Sequence, residues 1–413
     1  MRCFPARHGA VRWSMALWFV FAAPLALAQP LNQVLISGQS LSLGVSGAPA
    51  LAPPAAGDAL MFAGGLHHWN TSALVPLASN GTETVAPGFA GQLQASLEAP
   101  ACTLAEHPLL LSLSGRSATP IAELDFAGGD PHGVYWNAIA QAWWGHQHAL
   151  ALGRTHRVSA MLWLQGESDA GSDGAAYAER LHTLQADVQR HAYAVTGVDG
   201  SVPLLMMQTS SEASLRQPST IAQAQLDASR DNPLLHLVSP AYHLPYVDGL
   251  HPSNTGYRWL GGYFAKAYRQ AVMEGRPWQP LHPLAATARQ DGGAAALTLH
   301  YHVPVPPLVL DTQAVSNPGD YGFAVTDAAG GVPIDAVQLV GDAGVRLSLA
   351  RALQPPAFVR YAYDQPLGAP AGPHSGQRGN LRDSDPATVE GPGGSPLPLY
   401  NWSVIFRLPV ALY

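Results

Sequence analysis

Three residues that could together form the catalytic group of a serine esterase lie far apart in the sequence. Ser40 follows a short apolar run, whereas Asp248 and His251 lie three residues apart near residue 250. A serine becomes a nucleophile when a base takes its proton, and a carboxylate can orient that base. Because such a triad is defined by roles and geometry, we predict Ser40 as nucleophile, His251 as base and Asp248 as orienting carboxylate.

The oxyanion that forms during acyl transfer also needs hydrogen-bond donors. The backbone amides of Ser40 and Gly115 and the side-chain amide of Gln165 are candidates, because each follows a predicted strand. The sequence has no Gly-x-Ser-x-Gly motif, which argues against the α/β-hydrolase fold.

The elements that would position these residues alternate regularly along the first two thirds of the chain. Apolar runs predict strands, and the 3.6-residue period predicts helices between and after them. Strands are predicted at 34–36, 109–113, 158–164, 202–207 and 234–238, and helices at 89–97, 134–152, 175–193, 219–229 and 254–273. This alternation predicts a parallel sheet covered by helices on both faces. The candidate residues all follow strands, at the sheet edge where such folds bind ligands.

The pattern changes near residue 276. A proline-rich stretch at 276–283 is predicted to be a linker, and short alternating segments separated by Gly, Pro, Asp and Asn follow it. They predict a smaller antiparallel β-sandwich, in which residues 365–398 form a long surface loop. The expected domains are therefore a catalytic domain at 29–275 and a β-sandwich accessory domain at 284–413.

Residues 1–28 have the three parts of a secretory signal peptide. Three arginines precede an apolar run at 15–27, which ends in the small-x-small pattern of residues 26–28. The alternative is a membrane anchor, but the run is short for a span, which needs ~20 residues. We expect a bacterial protein that is exported to the periplasm or the medium.

The composition excludes several other classes of protein. The formal net charge of −7 disfavours binding to nucleic acid or to an anionic membrane surface. Cys102 is alone once the signal peptide with Cys3 is removed, so no internal disulfide is expected. We predict no metal site, because the adjacent His67 and His68 would point apart in most backbones, and no cofactor. The oligomeric state stays open.

The candidate residues lie in blocks that resemble the SGNH (GDSL-like) hydrolases. In the branch similar to sialate O-acetylesterases and acetyl-xylan esterases, the first block reads Gly-Gln-Ser, as at 38–40. The third block, Gln-Gly-Glu-Ser/Ala-Asp, is matched at 165–169, and the last, Asp-x-x-His-Pro, at 248–252. The second-block glycine is matched by Gly115. The resemblance covers roughly residues 33–270.

This resemblance implies a flavodoxin-like three-layer α/β/α sandwich and ester hydrolysis without a metal. It implies the same triad and oxyanion donors as the residues themselves suggest, with Gln39 and Glu167 supporting the triad from behind. Candidate substrate contacts are Arg116, Glu83 and Trp69. The family's asparagine after Gly-Gln-Ser is Leu41 here, and Arg116 follows Gly115 where the family often has Gly or Ser.

The favoured function is that of an exported serine esterase that removes O-acetyl groups from a carbohydrate. The substrate could be of the sialic acid type or of the plant-polysaccharide type, and the sequence leaves that choice open. One alternative is a lipid or thioester hydrolase, although those relatives usually carry Gly-Asp-Ser-Leu and a third-block asparagine. The other is a non-catalytic carbohydrate-binding protein on the same scaffold, which an intact triad disfavours.

Overall fold

A computed structural model describes most of the chain after the predicted signal peptide. It describes residues 29–53, 59–68, 73–79, 81–97, 107–211, 215–216, 218–291, 294–364 and 368–413. The signal peptide at 1–28, Trp69 and Cys102 lie outside the described residues. None of the helices within these ranges combines the length and hydrophobicity that a membrane span requires.

A seven-stranded sheet forms the centre of the N-terminal part, in the order β3-β2-β4-β1-β5-β6-β7. Its strands are β1 Leu31–Gly38, β2 Leu60–Phe62, β3 Leu74–Pro76, β4 Leu109–Gly115, β5 His156–Leu164, β6 Leu204–Gln208 and β7 Leu235–Pro240. All pairs are parallel except β2 with β3. The five main strands follow the 2-1-3-4-5 order of flavodoxin-like folds, so the predicted fold class is confirmed.

Five α-helices in the described ranges cover this sheet. They are α1 Val85–Ala95, α2 Val134–Ala151, α3 Gly174–Thr196, α4 Thr220–Asp231 and α5 Asn254–Tyr268, which continues as a π-helical turn at Arg269–Met273. Helix α1 packs against α5, and α3 packs against both α2 and α4. Helix α1 begins four residues before the predicted start, because the Thr84 side chain accepts a hydrogen bond from the Ala86 amide and caps it.

The C-terminal part consists of β-structure, as predicted. Its strands are β8 His282–Asp291, β9 Ala294–His302, β10 Val309–Leu310, β11 Phe323–Asp327, β12 Gly330–Val332, β13 Ile334–Val340, β14 Gly344–Leu349, β15 Phe358–Tyr361, β16 Leu381–Arg382, β17 Thr388–Glu390, β18 Pro396–Pro398, β19 Phe406–Pro409 and β20 Ala411–Leu412. They form a five-stranded sheet (β13-β14-β9-β8-β20), a four-stranded sheet (β12-β11-β15-β19) and two short ribbons. Every pair is antiparallel except β8 with β20. Aromatic contact between Tyr301 and Phe406 joins the two larger sheets.

The prediction of a long surface loop at 365–398 was wrong for the described residues, 368–398. Gln377, Asn380 and Asp383 are almost fully buried, and three short strands lie in this segment. The Asp383 carboxylate accepts hydrogen bonds from the Val305 and Asn401 amides. Side-chain hydrogen bonds of this kind satisfy a buried irregular backbone, and they leave no hydrophobic period in the sequence.

The N- and C-terminal parts share one hydrophobic core. Helix α5 and its π-helical turn end at Met273, and β8 begins at His282. We therefore propose that the domain boundary falls between these residues, within a connection that is itself packed. Trp278 is buried there and donates a hydrogen bond to the Leu237 carbonyl. The C-terminal part is thus fixed on the N-terminal part.

One ion pair anchors helix α5 to the C-terminal part. Lys266 is the single lysine of the chain, and its ammonium group lies 2.7 Å from the Asp385 carboxylate. It also donates to the Leu399 carbonyl and to the Asn401 side chain. Both charged side chains are nearly buried, so removal of one leaves the other without compensation.

We expect the substitution Lys266→Met to lower the free energy of unfolding by about 3 kcal/mol, because it leaves Asp385 unpaired in a buried position. Urea unfolding would measure the change. As a control, Arg190→Ala breaks a surface pair with Asp187 and should change stability by less than about 0.5 kcal/mol. If Lys266→Met unfolds like the control, the pair does not hold the two parts together.

Candidate active site

The end of strand β1 places Ser40 at the edge of the sheet. Gly38 has φ +142°, and a Cβ atom there would lie 2.2 Å from the Leu164 carbonyl oxygen. Any side chain would therefore push β1 away from β5. The Gln39 amide donates to the same Leu164 oxygen over 3.0 Å. This close approach fixes the turn from which Ser40 projects.

Ser40, His251 and Asp248 form one hydrogen-bonded line, although 211 residues separate Ser40 from His251. Nε2 of His251 lies 2.8 Å from the Ser40 hydroxyl oxygen, and Nδ1 lies 2.8 Å from Oδ2 of Asp248. With Nδ1 donating to Asp248, Nε2 can accept the serine proton. The two distances thus match the geometry of a nucleophile, a base and an orienting carboxylate.

Asp248 is held in its ionised form by its own loop. Burial alone would raise its pKa, but hydrogen bonds from the His251 ring and from the His251 and Leu250 amides lower the pKa of Asp248 to about 2. These amides lie 2.7 Å and 3.0 Å from Oδ1. An ionised Asp248 favours the imidazolium that forms when His251 takes a proton.

The loop after Ser40 contributes a residue that the sequence did not point to. Ser46 has φ +67°, a left-handed conformation that is uncommon outside glycine. Its hydroxyl donates to Oδ2 of Asp248 over 3.3 Å. Tyr257 of helix α5 holds this loop by donating to the Val45 carbonyl. No local motif marks Ser46, because its partner lies 202 residues away.

Glu83 does not contact solvent, which corrects its prediction as a substrate-binding residue. It is fully buried and lies 2.7 Å from the equally buried Arg258. Its other oxygen accepts a hydrogen bond from the Leu51 amide, and Arg258 also donates to the Ala52 carbonyl. The pair therefore ties the end of the loop after Ser40 to helix α5. Trp69, another predicted substrate contact, lies outside the described residues.

Gln165 is buried at the end of β5, but its amide nitrogen is already engaged. It donates to Asp169 over 2.5 Å and to the Thr119 carbonyl over 3.4 Å. Its side-chain oxygen accepts a hydrogen bond from the Tyr177 hydroxyl. In this arrangement neither amide hydrogen of Gln165 points to Ser40. The expected donation to an oxyanion would require Gln165 to exchange the long contact with Thr119.

Gln39 and Glu167 make hydrogen bonds that connect the strand ends around the candidate triad. The Gln39 side chain accepts a hydrogen bond from the Ser168 amide and so joins the ends of β1 and β5. Glu167 accepts a 2.6 Å hydrogen bond from Thr209, while its Oε2 atom has no partner among the described residues. Burial raises the pKa of Glu167, and hydrogen bonds and the nearby His251 only partly offset that effect.

Gly115 and Arg116 lie at the end of strand β4, which is next to β1 in the sheet. Gly115 is level with Gly38 in the sheet register, and a Cβ there would lie 2.2 Å from the Ser42 hydroxyl. The Arg116 amide donates to the Gly38 carbonyl over 3.1 Å. The Arg116 side chain is exposed and makes no hydrogen bond or ion pair with the described residues. It is therefore available for contact with a substrate.

Within the described part of the chain, no group of three or more His, Cys, Asp or Glu residues is arranged to hold a metal ion. The candidate site brings together a serine hydroxyl, an imidazole within hydrogen-bond reach of it, an ionised carboxylate and nearby backbone amides. Such a group can transfer an acyl chain from an ester to water.

Comparison with known proteins identifies the family of the chain. The family model described as "carbohydrate esterase, sialic acid-specific acetylesterase" matches residues 35–270, more than half of the chain. This range runs from β1 through helix α5 and includes every residue of the candidate triad. No curated protein matches the sequence.

Solved structures are similar to the chain at low sequence identity, and the first of them shares its fold. A carbohydrate acetylesterase from Xanthomonas citri is 19% identical, with a TM-score of 0.57, over 91% of this chain and 80% of that one. A protein from Arabidopsis thaliana is 20% identical, with a TM-score of 0.43, over 59% of this chain and 100% of that one. The first likeness extends into the C-terminal sheets.

The raised pKa of Glu167 predicts a pH-dependent penalty on stability. As the pH rises above 4.5, the usual value, the unfolded chain loses this proton more readily than the folded chain does, so the free energy of unfolding falls. We expect Glu167→Gln to gain stability over the wild type as the pH rises from 4 to 8. The control Glu179→Gln removes an exposed carboxylate and should leave the pH profile unchanged. Parallel profiles for Glu167→Gln and the wild type would contradict this account.

Proposed function

The chain belongs to the sialic acid-specific acetylesterase family of carbohydrate esterases, and from this premise we propose that it removes O-acetyl groups from a carbohydrate through Ser40, His251 and Asp248. Family membership makes the chain a carboxylic ester hydrolase. The observation that carries the assignment of residues is the continuous line of 2.8 Å contacts from Ser40 through His251 to Asp248.

In the first half of the reaction, the Ser40 oxygen attacks the acetyl carbonyl carbon. His251 takes the serine proton at Nε2, and the ionised Asp248 stabilises the resulting imidazolium. The oxyanion accepts hydrogen bonds from the Ser40 and Gly115 backbone amides. Gln165 joins these donors only if it exchanges its contact with Thr119. The imidazolium then protonates the sugar oxygen, and the deacetylated carbohydrate leaves.

The second half of the reaction releases the acetyl group from Ser40. His251 takes a proton from water, whose oxygen attacks the acetyl carbonyl of the acyl-enzyme. The tetrahedral intermediate collapses, His251 returns the proton to the Ser40 oxygen, and acetate departs. The same base and the same oxyanion donors serve both halves, so the mechanism needs no further protein group.

We also propose that the protein is exported, with residues 1–28 as the cleaved signal peptide. The three-part pattern of this segment supports the proposal. When the full chain is expressed in a bacterium, we expect the exported form to begin at Gln29. N-terminal sequencing would measure this, and a cell-retained protein that still begins at residue 1 would contradict it.

The triad is tested by acetate release from p-nitrophenyl acetate and from a panel of acetylated glycans. We expect Ser40→Ala to reduce kcat by about 10³-fold or more, because the nucleophile is lost, with an unchanged circular dichroism spectrum. Asp248→Asn should lower kcat by about 10²-fold or more, because the imidazole loses its fixed tautomer. Ser395→Ala, which alters an exposed serine of the C-terminal part, serves as the control. Wild-type kinetics in folded Ser40→Ala would refute the assignment.

A further inference from the structure

A segment of the C-terminal part contacts the loop that carries the triad histidine. The Ala371 amide donates to the Gly249 carbonyl over 2.9 Å. Gly249 has φ +76°, and a Cβ there would lie 2.3 Å from Pro370. Gly249 is the immediate neighbour of Asp248. The wall segment, residues 370–376, therefore lies directly against the catalytic loop, residues 245–252.

The wall segment is itself held firmly by the C-terminal part. The Ser316 amide donates to the Pro373 carbonyl over 2.9 Å, and Arg378 donates to the Gly376 carbonyl over 2.9 Å. Within the segment, the Ser375 hydroxyl donates to the Pro370 carbonyl. Because this segment is already ordered, it loses little conformational entropy when a ligand binds.

A cavity of about 390 Å³ lies between the wall segment and the catalytic loop. This volume falls within the range of small-molecule sites. One side is formed by Tyr246, Val247 and Gly249, and the other by residues of the wall segment such as Pro373 and His374. Val247 and Gly249, the sequence neighbours of Asp248 on either side, therefore both line the cavity.

The chemistry of this lining selects among the sugars left open by the sequence. None of the described lining residues is Asp, Glu, Lys or Arg. A sugar carboxylate placed in this cavity would therefore find no guanidinium or ammonium partner in its lining and would lose its hydration without compensation. Proline, valine and tyrosine surfaces instead suit the apolar face of an uncharged sugar ring. The exposed His374 imidazole has no hydrogen-bond partner among the described residues and can bind a hydroxyl.

We propose that this cavity is a binding subsite for a neutral sugar unit of the substrate, built jointly by the catalytic loop and the wall segment. The inference rests on the proposed esterase function and adds a substrate class to it: acetylated neutral glycans, not acetylated sialic acids. The C-terminal part then contributes to substrate recognition and is not a separate module.

Two variants test the subsite in the full-length mature protein. His374→Ala removes the imidazole, and His374→Leu removes its hydrogen-bonding nitrogens but keeps an apolar side chain of similar bulk at this exposed position. We expect each to raise KM for acetylated xylo-oligosaccharides roughly fivefold or more, with kcat/KM for p-nitrophenyl acetate changed less than twofold. His300→Ala and His300→Leu alter an exposed histidine elsewhere in the C-terminal part and serve as matched controls.

The outcomes separate this inference from the proposed function. Unchanged KM for the oligosaccharides in both variants, with an active wild type and an inactive Ser40→Ala, would refute the subsite and leave the esterase intact. A wild type that prefers O-acetylated sialic acid, and loses that preference in Arg116→Ala, would overturn the neutral-sugar class. Absence of acetate release from every ester by the wild type would refute the proposed function itself.

Discussion

The contact between Ser40 and His251 is the constraint on which the rest of the molecule depends. A base can take the serine proton only within hydrogen-bond reach, and here the two atoms lie 2.8 Å apart across 211 residues of chain. The sheet brings the two loops to one edge. Gly38, pressed against the Leu164 carbonyl, sets the position of one loop, and the short Asp248–His251 turn sets the other.

Buried polar groups hold these loops in place at some cost in stability. The Glu83–Arg258 pair is fully buried, and burying charge is favourable only when every group is hydrogen-bonded. Here both side chains also bond to the loop after Ser40. Glu167 illustrates the cost, because one of its oxygens has no partner in the described part of the chain and burial raises its pKa, which disfavours the anion. Residues that support a reactive site commonly carry such penalties.

The C-terminal sheets are part of this arrangement. Gln208 at the end of β6 both donates to and accepts from Ile405, and Tyr242 after β7 donates to the Ser403 carbonyl. The Lys266–Asp385 pair adds a third connection, through helix α5. The loops at the carboxyl edge of the sheet are therefore held in place by contacts with the C-terminal part. The same packing places the wall segment beside Asp248.

The sequence by itself determined the class of fold, and it predicted five of the seven strands of the central sheet and the residues of the candidate triad. Continuous apolar runs are typical of strands buried on both faces, and the polar residues that follow them mark the ligand-binding edge. Only the tertiary structure decided the contacts of Glu83 and Gln165 and the burial of the segment 368–398. Their partners lie far away in sequence, and a side chain that forms a buried hydrogen bond has the same local pattern as one that faces solvent. Ser46 and the wall segment were invisible for the same reason: long-range contacts, and not local periodicity, define them.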